Sequence, residues 1–439
     1  MYNEHRPLLR PRERDAIIQS LRAGVTPRTG LQHIQVGRAK EVAALIQDID
    51  RITQGGATFR LIIGEFGSGK TFFLQLIRTI ALEKGLVTIH ADLSPDRRLY
   101  STGGHARNLF AELMRNTSTR TKPEGNAIGS VVERFITEAR KQSEQTSQSV
   151  DQIIKDRLVH LTEMVGGYDF ANVISAYWRG YSEDNEQLKL DAIRWLRGEF
   201  TTKTDARVAL GVRSIVDDGS VYDYLKLMSL FVRQAGYTGL LVNIDEMVNL
   251  YKLASQKARF SNYEQILRIL NDCLQGGAEN IGFLLGGTPD FLYDPRKGLY
   301  SYEALHSRLA INSFASQVGV VDYSATSLNL TNLVPEELFI LLRNLRHVYA
   351  GENPQKYLVP DEALPAFLAH CSKNIGDAYF KTPRNTIKAF IELLSVLEQN
   401  PEIKWEQLIN QVTITKENNS DMPHIEIKDE DDGLATFNL

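Results

Sequence analysis

Gly64-Glu65-Phe66-Gly67-Ser68-Gly69-Lys70-Thr71 limits what this chain can fold into more than any other stretch of the sequence. It satisfies G-x-x-x-x-G-K-[ST] at every fixed position. The neighbouring residues supply the setting that this pattern requires. Phe59 to Ile63 is a short apolar run that reads as a buried strand, and Thr71 to Lys84 reads as a helix stopped by Gly85. Glycines in the loop let the backbone curl until its N–H groups converge on phosphate oxygens. The helix that follows adds the positive end of its dipole. Gly64, Phe66, Gly67, Ser68, Gly69, Lys70, Thr71 and Phe72 are therefore the candidate nucleotide contacts. Lys70 is expected to bridge the β- and γ-phosphates of ATP, and Thr71 to ligate Mg2+.

Such a loop needs an acidic partner at the end of a neighbouring strand. Gly239-Leu240-Leu241-Val242-Asn243-Ile244-Asp245-Glu246 is the candidate, a run of apolar residues ending in adjacent carboxylates. Parallel strands are buried on both faces and read as unbroken apolar runs, and ligands collect at their carboxyl ends. Asp245 is expected to hold Mg2+ and Glu246 to act as general base toward the attacking water. A second run, Ile281 to Leu285, leads through Gly286-Gly287 to Thr288. The Thr288 hydroxyl is either a contact to the γ-phosphate or attacking water, or an ordinary strand-end residue. Thr202-Lys203-Thr204-Asp205 matches a guanine-specificity element in form, but it follows no apolar strand, and Asp245 lacks the downstream glycine of a GTPase switch. It reads as a chance match.

The order of these pieces resembles the AAA+ ATPases, in particular their replication-initiator-like branch. Val36-Gly37-Arg38 precedes the first core helix, and the phosphate loop, Asp245-Glu246 and Thr288 follow. The resemblance implies that Gly37 and Arg38 lie against the adenine. It also implies that Arg308, in Ala304-Leu305-His306-Ser307-Arg308-Leu309, is an arginine finger, and that Arg384, in Lys381-Thr382-Pro383-Arg384-Asn385, is a lid-domain sensor. Arginine suits both roles, because its charge is permanent and its planar fork spans two phosphate oxygens. Each could equally be a surface ion pair. Fingers often act across subunits, so a homo-oligomer is implied.

A closer resemblance extends over more of the chain. Leu21-Arg22-Ala23-Gly24-Val25-Thr26-Pro27-Arg28, Gly30-Leu31-Gln32-His33-Ile34, Ala91-Asp92-Leu93-Ser94-Pro95-Asp96-Arg97-Arg98-Leu99 and Glu112-Leu113-Met114-Arg115 are similar to bacterial P-loop proteins of phage-defence operons. These operons include BREX-type systems and operons that also encode a helicase. The resemblance implies an ATPase that works with partners, such as a helicase or effector protein, in a defence or DNA-handling operon. The full hydrolytic set makes an oligomeric motor or loader acting on DNA or a DNA-bound partner the first reading. A nucleotide-gated scaffold with slow turnover is the other reading.

The expected fold class is α/β: a parallel-sheet P-loop NTPase core, AAA+-like, with a large helical insertion and a C-terminal helical lid. The expected divisions are a basic segment at 1–35, the core at 36–115 and 237–328, the insertion at 116–236, the lid at 329–415 and an acidic tail at 416–439. The insertion is too long for a loop. It carries Tyr168, Phe170, Tyr177, Trp178 and Tyr181 beside Arg179, either a helical core of its own or a surface for stacking on bases. Composition narrows the remaining classes. Lys and Arg total 50 against 54 Asp and Glu, a net charge of −4, so the chain is not uniformly basic. Only Cys273 and Cys371 are present, which excludes a disulfide framework or a CxxC zinc site. No apolar run approaches the length of a membrane span, and the start of the chain lacks a signal-peptide core. A cytoplasmic location is expected.

Overall fold

A computed structural model describes residues 8–381 and 383–411. The acidic tail and the first seven positions lie outside the described residues. The chain forms two compact units. One takes in the described parts of Met1–Val42, Ile63–Leu76 and Asn329–Ile425; the other takes in Ala43–Ile62 and Ile77–Leu328.

The second unit is organised on a parallel sheet of five strands: β1 (Ala57–Ile63), β2 (Val87–Asp92), β3 (Leu240–Asp245), β4 (Ile281–Gly287) and β5 (Ser327–Asn329), in the order β2-β3-β4-β1-β5. Every residue of β3 and β4 is buried, as their unbroken apolar sequences require when both faces are covered. Consecutive strands β1 and β2 are separated by β3 and β4. The crossover from β1 runs to one side of the sheet and the crossover from β4 to the other. In open parallel sheets the carboxyl edge at such a reversal is where ligands bind. The phosphate-loop sequence leaves β1 at that edge.

Between β2 and β3 the chain makes the expected helical insertion. Its helices include Ile128–Gln145, Gly167–Ser182, Glu186–Leu196 and Val221–Gln234. They enclose a core of rings. Phe170 meets Trp195 edge-on at 6.3 Å and Phe231 at 5.2 Å, and Trp195 meets Tyr224 at 5.6 Å. Burying each such side chain contributes roughly 1.5–3 kcal/mol. Of the clustered aromatics, Phe170 and Tyr177 are in this core, whereas Tyr168 and Tyr181 are exposed. Tyr181 stacks on Trp178 at 5.7 Å.

The first unit is all helix around its own apolar core. Helices Pro335–Tyr349, Ala363–Ile375 and Arg384–Gln399 form the lid. Leu338, Leu342, Leu345, Phe367, Phe390 and Leu394 fill its centre. Ile17, from the N-terminal helix Pro11–Arg22, lies in the same cluster with no exposed surface, and Phe72 of the phosphate-loop helix packs against it. Both Pro11 and Pro335 occupy the first turn of their helices, where the missing N–H costs nothing. Glu13 and Glu337 accept the N–H of Arg10 and of Val334 at 3.0 and 3.1 Å, closing the two starts. Arg14 is taken up inside the unit: its Nε and Nη2 donate to the Tyr349 carbonyl at 2.9 and 2.7 Å, at the carbonyl end of a lid helix.

Candidate nucleotide-binding site

The phosphate loop belongs to the first unit. Gly67 and Gly69 have φ of +79° and +84°, which glycine adopts freely, so the loop can turn twice within three residues. Gly64 is fixed by space instead: a Cβ there would collide with Ser68 Oγ and lie 3.2 Å from the Leu330 carbonyl. Gly67 and Gly69 are thus favoured by their left-handed φ, whereas a side chain at Gly64 would crowd the curled backbone. The Ser68 side chain is buried beneath it. The helix begins at Lys70, one residue earlier than the periodicity gives. Lys70 Nζ donates to the carbonyls of Gly64 and Glu65 at 2.8 and 3.0 Å and lies 5.5 Å from the centre of the Phe66 ring. Its charge is held over the loop, where it can meet phosphate without a change of side-chain direction. Thr71 follows on the exposed first turn.

Gly37 and Arg38, matched by resemblance to an adenine-contacting segment, are placed by the structure against the loop and the lid. Arg38 Nη2 donates to the Ser68 carbonyl at 2.5 Å and to the Thr331 carbonyl at 3.0 Å. Its guanidinium lies 6.0 Å from the centre of the Phe73 ring. Burial lowers the Arg38 pKa from its ordinary value, and the charges of Glu41 and Glu337 oppose that fall. At Gly37, φ is +62° and a Cβ would run into Glu337 Oε1, so only glycine lets the lid carboxylate come this close. Arg384 opens a lid helix with its side chain exposed, and its Cδ passes within 3.5 Å of where a Cβ on Gly24 would stand.

The second unit holds the acidic residues. Asp245 is the last residue of β3 and is buried. Its backbone is gripped from one flank: the Leu93 N–H, just past β2, donates to the Asp245 carbonyl at 3.0 Å. On the other flank the Met247 N–H donates to the Gly286 carbonyl at 2.9 Å. Between them Glu246 takes a left-handed φ of +59°, unusual for a residue with a side chain, and its N–H donates to Asp245 Oδ1 at 2.8 Å. Backbone strain of this kind persists only where the surroundings hold it, and it is common at functional sites. Asn249 reinforces the corner by donating to the carbonyls of Leu93 and Glu246 at 2.9 and 3.2 Å.

Thr288 is buried at the end of β4 and caps the short helix Pro289–Tyr293, its hydroxyl accepting the Phe291 N–H at 3.4 Å. Arg308 is exposed on Glu303–Leu309, its Nε donating to Asn271 Oδ1 and its Nη1 to the Ala304 carbonyl, both at 2.8 Å. The residues that imitate a guanine-specificity element open a helix instead. The Thr202 hydroxyl caps Lys203–Leu210 by accepting the Asp205 N–H at 3.1 Å, which accounts for a threonine and an aspartate at that spacing.

One acidic neighbour escapes a motif search. Asp92 ends β2 and is the register partner of Asp245. Its only mark in the sequence is that it closes the strand-like stretch Leu86 to Ala91. The Asp92 pKa is raised by loss of hydration and then by the charge of Asp245, with Arg97 pulling the other way. Among the described residues no group of three or more His, Cys, Asp or Glu side chains is placed to hold a metal ion unaided. Mg2+ ordinarily needs only one or two protein oxygens beside substrate phosphates and water. Burial pushes the thiols of Cys273 and Cys371 up to about 12, which leaves them unreactive.

Among the described residues no helix is long and apolar enough to cross a membrane. No curated protein matches the chain. The model of one family, described as BREX system ATP-binding protein BrxC/D, matches residues 9–413, and the chain belongs to that family.

Proposed function

We propose that this ATP-binding protein of phage defence hydrolyses ATP and works as an oligomeric motor or loader on DNA or a DNA-bound partner. The observation that carries the reading is the complete phosphate-loop sequence on its strand–loop–helix frame, together with the adjacent carboxylates Asp245 and Glu246 at the end of a second parallel strand. The loop N–H groups and Lys70 would hold the triphosphate, and Glu246 would orient and deprotonate water. Mg2+, held by Thr71 and Asp245, would neutralise charge between the phosphates. The Thr288 hydroxyl keeps a proton to donate even while it caps its helix.

Self-association has support of its own. The chain beyond Arg308 exposes Ile311, Phe314, Val318, Val320 and Val321 within a few residues of one another, an apolar surface unusual for a monomer. In an assembly Arg308 would exchange its hydrogen bonds to Asn271 and Ala304 for a neighbour's nucleotide.

The experiment is ATP turnover by the full chain, with and without single- and double-stranded DNA. Lys70→Ala is expected to lose binding and turnover together. Glu246→Gln is expected to bind ATP and to lose turnover by at least a hundredfold. Turnover that survives both substitutions would end the hydrolytic reading.

A second reading, a nucleotide-gated switch that recruits an effector, is favoured by one observation. The phosphate loop and the lid share a single compact unit, with Phe72 packed against the lid core. In that case Glu246→Gln would retain partner recruitment in ATP although it cannot turn over.

A further inference from the structure

Arg38 carries more structural cost than an adenine contact requires. It has a side chain yet sits at φ +59°. Its Nη2 reaches two main-chain carbonyls that are far apart in sequence, Ser68 in the phosphate loop and Thr331 between β5 and the lid helix Pro335–Tyr349. Its Nη1 is buried without a hydrogen-bond partner. A strained backbone and a buried donor left unused are both unfavourable. What the arrangement secures is the orientation of one peptide unit.

A trans peptide is planar, and its C=O and N–H point in opposite directions. The carbonyl that Arg38 holds belongs to Ser68, so the N–H of the same unit is that of Gly69. Ser68 and Gly69 lie inside the loop whose N–H groups are its phosphate donors. With Gly67 and Gly69 both in the left-handed region, little in the loop's own sequence opposes rotation of that unit. A Cβ on Gly69 would stand 4.0 Å from Arg38 Nη2, at the outer limit of van der Waals contact, so the guanidinium lies beside this peptide unit without crowding it.

We propose that Arg38 is a positioning residue for phosphate binding: it grips the Ser68 carbonyl, presents the Gly69 N–H in the opposite sense, and ties that peptide to the segment leading into the lid. The Thr331 bond makes the grip reciprocal. A phosphate that pulls on the Gly69 N–H shifts the Ser68 carbonyl, and the shift reaches residues 331–334 and the start of the lid helix. Glu337 completes the device from the lid side, its carboxylate against Gly37 and its charge acting on the guanidinium.

This inference rests on Gly64 to Thr71 being the ATP site, and the test separates the two. ATP affinity in Mg2+ is measured for wild type, Lys70→Ala, Arg38→Ala and Arg38→Lys, with adenosine as competitor and with backbone hydrogen exchange followed over residues 330–345. Arg38→Ala is expected to weaken ATP roughly ten- to hundredfold, the value of one charge-assisted hydrogen bond to phosphate. Adenosine should compete as it does in wild type. Protection of residues 330–345 by saturating ATP, present in wild type, should disappear. Arg38→Lys keeps the aliphatic stem and the charge but reaches less far. It is expected to melt with wild type and to show both deficits, which sets aside misfolding as the cause. Normal ATP affinity in Arg38→Ala beside a loss in Lys70→Ala would overturn the inference alone. Equal ATP binding by wild type and Lys70→Ala would overturn the site and the inference together. An equal loss for adenosine would assign Arg38 to the base, and full recovery by lysine would show that charge alone suffices. Either result would also refute the positioning role.

Discussion

Asp92 and Asp245 are register partners at the ends of β2 and β3, so two carboxylates leave the same sheet edge side by side. The raised pKa of Asp92 makes that residue's contribution to stability depend on pH. An acid whose folded pKa lies above its unfolded value binds more protons in the native state. Its contribution therefore turns unfavourable as pH rises through that interval. Asp92→Asn removes the unfavourable charge. The variant is expected to melt above wild type near neutral pH, with the difference vanishing below the ordinary aspartate pKa of about 3.9. Thermal melts across the acid range decide it, and equal melting temperatures at neutral pH would show that the carboxylates do not repel.

Arg60 of β1 and Asp48 of the helix Ala39–Thr53 form a buried pair, with Nε to Oδ2 at 2.5 Å and Nη2 to Oδ1 at 3.1 Å. Arg60 Nη1 also donates to the Ala325 carbonyl, next to β5. Removing one partner leaves a buried charge uncompensated. Asp48→Ala is expected to cost about 3–5 kcal/mol, and Asp48→Leu with Arg60→Met to recover much of it. Denaturant midpoints give both values. A loss in the double variant as large as in Asp48→Ala would mean that Arg60 acts through Ala325.

Ile17 tests the tie between the N-terminal helix and the lid. Its side chain is fully buried among lid residues, and a Cβ on Gly30 would come within 2.7 Å of its Cδ1. Ile17→Ala is expected to cost roughly 2–5 kcal/mol. The loss should appear as faster hydrogen exchange in Pro335–Tyr349 and Arg384–Gln399, with β3 and β4 unchanged. Exchange confined to Pro11–Arg22 would mean that the helix rests on the lid without supporting it.

Phe314 is 81% exposed, so Phe314→Asp should change the stability of the single chain by no more than about 0.5 kcal/mol. Light scattering in ATP is expected to give a smaller mass for the variant than for wild type. The same mass for both proteins would place any contact between copies elsewhere.

Much of the sheet and the phosphate loop was legible because buried parallel strands leave unbroken apolar runs and the loop geometry demands glycine. The strands beginning at Leu240 and Ile281 start where the sequence places them and run one or two residues further. β5 was not legible, because Ser327–Asn329 is three residues long and only Leu328 is fully buried. Arg38 shows a different limit. Its side chain acts on main-chain carbonyls, which every residue has, so no residue type marks the partner. The aromatics around Tyr177 carried no direction of their own. Helical spacing turned Phe170 and Tyr177 inward and left Tyr168 and Tyr181 outside. Asp92 is not legible in the sequence, because a carboxylate at a strand end looks like any turn residue until the register sets it beside Asp245.

Ile17 and Leu394 share one apolar cluster, although most of the chain lies between them. A ribosome emits the Pro11–Arg22 helix early and the Arg384–Gln399 helix near the end of its work. At 5–20 residues per second the interval is on the order of tens of seconds. During that time the sheet unit can gather itself, while the amphipathic N-terminal helix waits with its apolar face unclaimed. The unit that contains the phosphate loop is therefore the last to close, and a truncated product of translation cannot complete it.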